Sequence, residues 1–338
     1  MKTRTTKLFL TGYGDFLGRA EGCLTVRHRN KETEKYPLFA NEVSEIQISM
    51  GNSVSSVALA SCAFWNIDVA ILTQRGAPVA YLKNLADDSH VKTRISQYES
   101  LKNGKGLEIA KQIVLAKIEG QNQLLRKNGL RQLDMVQLNK RIADADSRQK
   151  LITIEGHCAE LYFRQIFQLM PKSMRIERRR GFKAYDIANN ILNLAYEILR
   201  WKVYRAIIRA KLEPFLGFVH SEQFGKPSLV CDLMEPYRCL IDDFVIQYCK
   251  SIKKKDFISH NESYSGHKQG QRQYLKKAKA QEMTDRLNKF FESIVEIPRV
   301  RHGKRQTFET LINEEALLLA QYLRKERKDW APRIFQIS

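Results

Sequence analysis

Near residue 90 the hydrophobic rhythm of this chain changes, and that change limits the folds open to it. Before it, the segments KLFLTGYG, CLTVRH, EIQISM, DVAILTQ and APVAYLKN are short, rich in β-branched and aromatic residues, and separated by Gly, Asn, Asp or Pro, which predicts strands. Leu24 and Val26 alternate in the second of them, and Ile46, Ile48 and Met50 in the third. Between the third and fourth lies SVSSVALASCAFW, which fits a short amphipathic helix with Val57, Leu59, Ala60 and Phe64 on its apolar face. After the change, AKQIVLAKIEGQNQLLRKN, the stretch from Gly156 to Leu169, YDIANNILNLAYEILRWKVYRAIIRAKL and ETLINEEALLLAQYLRKER repeat apolar residues at three and four, which predicts helices.

Neither one sheet nor one helix bundle satisfies both periods. At 338 residues the chain also exceeds the size at which a single core usually stops growing. The expectation is therefore an α+β protein: a β-rich domain over 1–86, a polar linker over 87–95 within NLADDSHVKTR, and a larger all-α domain over 96–338. The polar stretch from Ser259 to Gln273 reads as a loop inside the second domain.

Charge separates the two regions as well. The formal net charge is +20, yet residues 1–100 hold 12 Lys/Arg against 10 Asp/Glu, so nearly all the excess lies beyond them. A surplus of this size favours a polyanion such as DNA, because neutralising phosphates releases condensed counterions. Basic runs at Arg178 to Arg180, Lys253 to Lys255, Lys276 to Lys279 and Arg299 to Arg305 fit phosphate contact. Lys202, Arg205 and Arg209 share one face of the longest predicted helix, as either a solvated stripe or a DNA-facing one.

No apolar run approaches the ~20 residues that span a bilayer, and MKTRTTKLFLTGYG lacks the apolar stretch of a secretory signal. A cytoplasmic protein with no membrane contact is expected. The six cysteines form no C-x-x-C pair, so they read as small buried residues rather than zinc ligands or disulfides.

The residues that could carry chemistry lie in two segments. GKPS at 225–228 resembles the tail of a phosphate-binding loop, but His220 stands where the first glycine is needed and Pro227 where a hydroxyl must reach magnesium, so that reading fails. What remains is His220, followed twelve residues later by Asp232 and then by Glu235 in DLMEPYR, together with Glu155 and Glu160 in LITIEGHCAELYF. Two carboxylates and one imidazole suit magnesium or manganese, with the imidazole leaning towards manganese. The same D-x-x-E is also a capping box, with Asp232 as N-cap and Glu235 three residues on. Spacing alone does not separate the two readings.

GFVHSEQFGKPSLVCDLMEPYR resembles the signature of the CRISPR-associated endonuclease and integrase family, the first-numbered Cas proteins, which act in spacer acquisition. IEGHCAELYF resembles that family's Ile-Glu-Gly helix, DIANNILNLAYEIL its Asn- and Tyr-bearing helix, and ETLINEEALLLAQYLRKER its C-terminal helix. The opening GYGDFL, CLTV and SVSSVAL are similar to its N-terminal sheet domain. The resemblance implies an N-terminal dimerisation domain, a helical catalytic domain, a homodimer, and assembly with the small second-numbered Cas protein. It implies Glu155, His220 and Glu235 as ligands of Mg2+ or Mn2+, with Asp232 as the nearby second acid; many members carry Asp where this chain has Glu235. It places Tyr162 and Tyr196 near the site as candidates for contact with DNA, and Arg205, Arg209 and Lys211 are candidates for contact with the DNA backbone. The implied activity is metal-dependent joining of a DNA 3′-hydroxyl to a repeat phosphodiester by transesterification, with hydrolysis when water attacks instead. Two alternatives stand beside it: a non-catalytic basic DNA-binding scaffold, and a plain structure-selective nuclease.

Overall fold

The computed structural model describes residues 6–10, 12–30, 32–40, 43–73, 78–82, 90–181, 184–264, 268–296 and 305–333. The chain separates into two compact units, residues 1–88 and 89–338.

In the first unit the strands are β1 (Thr6–Leu10), β2 (Phe16–Ala20), β3 (Cys23–Arg27), β4 (Thr33–Pro37), β5 (Val43–Ser49), β6 (Ser53–Val54), β7 (Asp68–Leu72) and β8 (Pro78–Leu82), with helix α1 (Ser56–Phe64) between β6 and β7. They form two four-stranded sheets, ordered β1-β5-β7-β8 and β4-β3-β2-β6. The pairs β1–β5 and β5–β7 are parallel, and α1 lies in the crossover that parallel neighbours require. Leu17, Leu24, Ile46 and Val69 belong to a core cluster of their own. The alternation in CLTV is thus the inward face of a real strand, whereas β5 is buried at Glu45 and Gln47 as well as at Ile46 and Ile48, and Met50 lies beyond the strand and is exposed.

The apolar face expected for α1 is not the one it buries. Ala58, Ser61 and Cys62 point into the core, whereas Val57 and Phe64 are exposed. The small residues let the helix lie close to the sheet, and an apolar periodicity by itself does not say which side will be covered. Ser55 caps the helix, its hydroxyl accepting from the Ala58 N–H.

The second unit is mainly helical: α2 (His90–Ser100), α3 (Lys105–Lys127), α4 (Met135–Ala143), α5 (Arg148–Ile166), α6 (Ile187–Arg209), α7 (Ser228–Met234), α8 (Arg238–Cys249), α9 (Lys277–Glu292) and α10 (Phe308–Leu323). It is not all-α. Strands β9 (Phe257–Tyr264) and β10 (Lys268–Leu275) pair antiparallel, so most of the stretch expected as a loop is a hairpin. Polar side chains on both faces hid the alternation that identifies a strand. A further short pair joins β11 (Ile294–Glu296) to β12 (Arg305–Thr307). Residues 90–95, expected as linker, form the opening turns of α2. The loop residues 265–267, most of the basic run from Arg299 and linker residues 87–89 lie outside the described residues.

One large apolar cluster runs through α3, α5, α6, α7, α8, α9 and α10. At its centre α3 packs against α5, α8 and the 3-10 turn Glu235–Tyr237. Gly120 permits that approach: a Cβ there would stand 2.6 Å from Cys239 Sγ. Cys62, Cys158, Cys239 and Cys249 are buried as expected, while Cys23 and Cys231 are only partly covered. Among the described residues, no helix is long and apolar enough to cross a membrane.

Candidate active site

Lys117, in the middle of α3, is buried. Its ammonium hydrogen-bonds Glu155 Oε1 on α5 and lies 2.5 Å from Glu235 Oε2. A lone cation inside an apolar helix must be paired, and two carboxylates converge on this one. Burial works against the Lys117 charge, but Glu235 and Glu155 overcome it and raise its pKa above that of an ordinary lysine. Glu235 opens the 3-10 turn between α7 and α8, where Pro236, lacking an N–H, fits a turn start. Burial alone would raise the Glu235 pKa; the Arg238 guanidinium, 3.2 Å from its Oε1, and the Lys117 ammonium instead hold it at about 2, with His220 adding to the effect.

His220 is positioned by Asp232. The Asp232 carboxylate, wholly buried on α7, accepts from the N–H groups of Phe218 (2.5 Å) and Val219 (2.9 Å) through Oδ2, and from the N–H of His220 (3.0 Å) through Oδ1. The ring Nδ1 of His220 also lies 2.6 Å from Oδ1. With every neighbour of this carboxylate a donor, Nδ1 carries a proton towards it and Nε2 is the nitrogen left to face a ligand. Gly217 makes the turn possible, since a Cβ there would meet Asp232 Oδ2, the His220 carbonyl and Ser228 Cβ, each at 2.8 Å. The loop before the histidine is fixed from two sides. Gln97 of α2, wholly buried, donates to the carbonyls of Glu213 and Leu216 and accepts the Glu213 N–H, while Arg148 donates to the Gly217 carbonyl. The Ser228 hydroxyl donates to the Ser221 carbonyl and closes the base of the loop that follows.

Asp232 is therefore not a helix cap. Helix α7 begins at Ser228, and the Asp232 side chain turns back to bind three successive N–H groups instead of the N–H at 235. The capping box of the sequence is replaced by a carboxylate that holds a loop.

Beyond Glu235 the polar network continues inward. The Tyr196 ring has the Arg238 guanidinium 4.9 Å from its centre and that of Arg179 at 5.0 Å. The Tyr196 and Tyr162 hydroxyls both donate to Asp242, Tyr162 at 2.7 Å. Burial pushes the Asp242 carboxyl up to about 6 against the opposing effect of those hydroxyls. Tyr162 and Tyr196 thus sit close to the site, but they are buried and cannot stack on DNA.

Arg205 also departs from expectation. It and Lys202 are buried, and both reach Glu309 of α10, at 3.3 and 3.1 Å, so this part of the stripe is an internal brace and not a DNA face. Arg209 at the end of α6 is exposed, and Lys211 is partly exposed with a positive φ of 66°. Glu160 is exposed and paired with Arg164. Lys117, Arg238 and Asp242 were not singled out from the sequence. The available signal was a charged residue interrupting an apolar helical stripe, as in IVLAKIEG.

Among the described residues, no group of three or more His, Cys, Asp or Glu side chains is placed to hold a metal ion as it stands. The Lys117 ammonium occupies the position between the two acids. The residues nevertheless suit a hard divalent cation. Two carboxylates already close on a stand-in positive charge, Glu235 Oε2 is buried against the Lys117 ammonium, and His220 is fixed with Nε2 turned from Asp232.

Residues 8–280 match the family model of CRISPR associated protein Cas1. The chain is 32% identical over 263 residues to CRISPR-associated endonuclease Cas1 1 of Francisella tularensis subsp. novicida (strain U112), covering 74% of this chain and 81% of that one. Its fold is similar to a chain of a casposase bound to integration product, with a TM-score of 0.77 and 22% identity, covering 97% of this chain and 93% of that one. It is also similar to a chain of a partial Cas6-RT-Cas1–Cas2 complex, with a TM-score of 0.70 and 21% identity, covering 98% and 99%.

Proposed function

This chain belongs to the CRISPR-associated Cas1 family, and from that premise we propose that it is a divalent-metal-dependent DNA endonuclease and integrase of spacer acquisition, joining DNA 3′-hydroxyl ends to repeat phosphodiesters by transesterification. The observation that carries this reading is the convergence of Glu155 and Glu235 on one buried positive charge, with His220 held alongside by Asp232.

Glu155, Glu235 and Nε2 of His220 would hold Mg2+ or Mn2+. A divalent ion there polarises a phosphodiester and lowers the pKa of an attacking hydroxyl. The rest is done by the chain itself. Asp232 fixes the tautomer and direction of His220, and Arg238 keeps Glu235 ionised. Arg209, Arg178, Arg180 and Lys253 to Lys255 present exposed positive charge for the DNA backbone. The similar chains in a casposase bound to integration product and in a partial Cas6-RT-Cas1–Cas2 complex support DNA and the Cas2 protein as partners. A homodimer is proposed as the working unit.

The helix-cap reading, on which a purely scaffolding role leaned, loses its support because Asp232 binds the loop 218–220. The decisive experiment is strand transfer of DNA fragments into a repeat-containing plasmid with Mg2+ or Mn2+. E155A and H220A should each reduce joining by roughly a thousandfold, as expected when several kcal/mol of charge stabilisation is removed. Fragments ending in a 3′-dideoxynucleotide should give no joining while cleavage persists. Full activity of folded E155A and H220A would refute the metal-site reading, and undiminished joining of dideoxy ends would refute hydroxyl attack.

A further inference from the structure

We propose that Lys117 is an exchangeable counter-cation of this site, holding Glu155 and Glu235 together in the metal-free protein and withdrawing its ammonium when a divalent cation binds. The proposal rests on the metal-site reading above and adds a competitor to it.

Competition for the same atoms comes first. Lys117 pairs with Glu155 Oε1 and stands 2.5 Å from Glu235 Oε2, on the two carboxylates that would ligate the ion. An ammonium and a divalent cation cannot both lie between them. Without either, two carboxylates facing one buried position would repel each other, so the ammonium accounts for the assembled site.

Charge balance points the same way. At the shared position Glu155 and Glu235 supply two negative charges against one from Lys117. Adding a divalent cation with Lys117 in place sets three positive charges against those two carboxylates. Withdrawing Lys117 matches two charges to two. Arg238 does not offer the same release, because its guanidinium also lies against the Tyr196 ring, whereas lysine carries a point charge on a flexible stem. The route outward is short: Glu155 and His220 are the partly exposed members of the group, with side chains 21% and 30% accessible.

Mn2+ binding to the full-length protein, measured by isothermal titration calorimetry for wild type and K117M, tests the exchange. K117M should bind Mn2+ about tenfold tighter or more, because in the wild type the apparent affinity is reduced by the small fraction of molecules in which Lys117 has left the site. Its thermal midpoint, lowered in EDTA, should rise more on adding Mn2+ than that of the wild type. Weaker binding by K117M would overturn the proposal, since Lys117 would then support the bound state. A second measurement needs no folded K117M. Acetylation of Lys117 by an N-hydroxysuccinimide ester, followed by peptide mass spectrometry, should increase with Mn2+ in the wild type and not in H220A. Unchanged or reduced labelling of Mn2+-loaded wild type would also overturn the exchange. If the wild type shows no saturable Mn2+ binding at all, the metal site itself falls and takes this proposal with it.

Discussion

Two buried ion clusters in the helical unit invite comparison. In one, Lys117 of α3 pairs with Glu155 of α5 and Glu235 of the turn after α7. In the other, Lys202 and Arg205 of α6 pair with Glu309 of α10. Both bring opposite charges together across helices, and both cost desolvation that pairing must offset. They differ in access. Lys202 and Arg205 are almost wholly covered and Glu309 nearly so, whereas Glu155 and the adjoining His220 reach solvent. A sealed cluster can only brace the helices it joins. An open cluster with two carboxylates closing on one position can take a ligand.

The sharpest way to break that comparison is to remove the acid of the sealed cluster. E309Q withdraws the carboxylate on which Lys202 and Arg205 both close, and should destabilise the protein by about 3–5 kcal/mol, read from urea unfolding. Activity per folded molecule should stay within twofold of wild type. A stable E309Q with lost strand transfer would make the sealed cluster functional and the contrast false.

A smaller effect is expected from Asp242, buried like the sealed cluster but linked to the open one through Tyr196 and Arg238. Its carboxyl is raised to about 6 when folded and returns to an ordinary value near 4 when unfolded. Between those values the folded state retains a proton that the unfolded state has lost, so this residue's contribution to stability falls as pH rises from about 4 to about 6. Relative to D242N, the wild type should lose on the order of 2 kcal/mol across that window, and parallel stability curves would exclude the assignment. The opposite slope belongs to Glu235, held at about 2, whose stabilisation is present above pH 4.5 and is lost as pH falls towards 2.

The smallest expected effect probes how the open cluster is supported. D232N keeps the shape of the side chain but replaces one acceptor oxygen with a donor facing backbone N–H groups or the His220 ring. Mn2+ affinity should fall about 10- to 100-fold, the usual cost of losing a carboxylate behind a metal-ligating histidine. An unchanged affinity in calorimetry would mean that His220 does not depend on Asp232 for its aim.

The same contrast explains what the sequence made legible. Glu155, His220 and Glu235 stood out through motif and resemblance, because their segments GFVH, DLME and IEG are distinctive in order. Lys117 did not, since a single lysine in IVLAKIEG gives no hint that two acids some 40 and 120 residues later fold onto it. Arg205 was misread for the complementary reason: its helical spacing with Lys202 and Arg209 is real, but periodicity names a face without naming what covers it. Val57 and Phe64 repeat that lesson on α1. The strands of CLTV and EIQIS were visible through alternation, whereas the polar hairpin after Phe257 had none to show.

The carboxylate of Asp232, gripping three consecutive N–H groups while Ser228 ties the far end of the next loop to Ser221, has an evolutionary consequence. Residues 221–227, with Gln223 bridged to Lys226 and Phe224 fully exposed, supply none of the groups that bind the Asp232 carboxylate and aim the histidine they follow. The heading of the His220 ring is set instead by the Asp232 carboxylate and the N–H groups of 218–220. A change of sequence in that loop would therefore leave untouched the contacts that aim the ring.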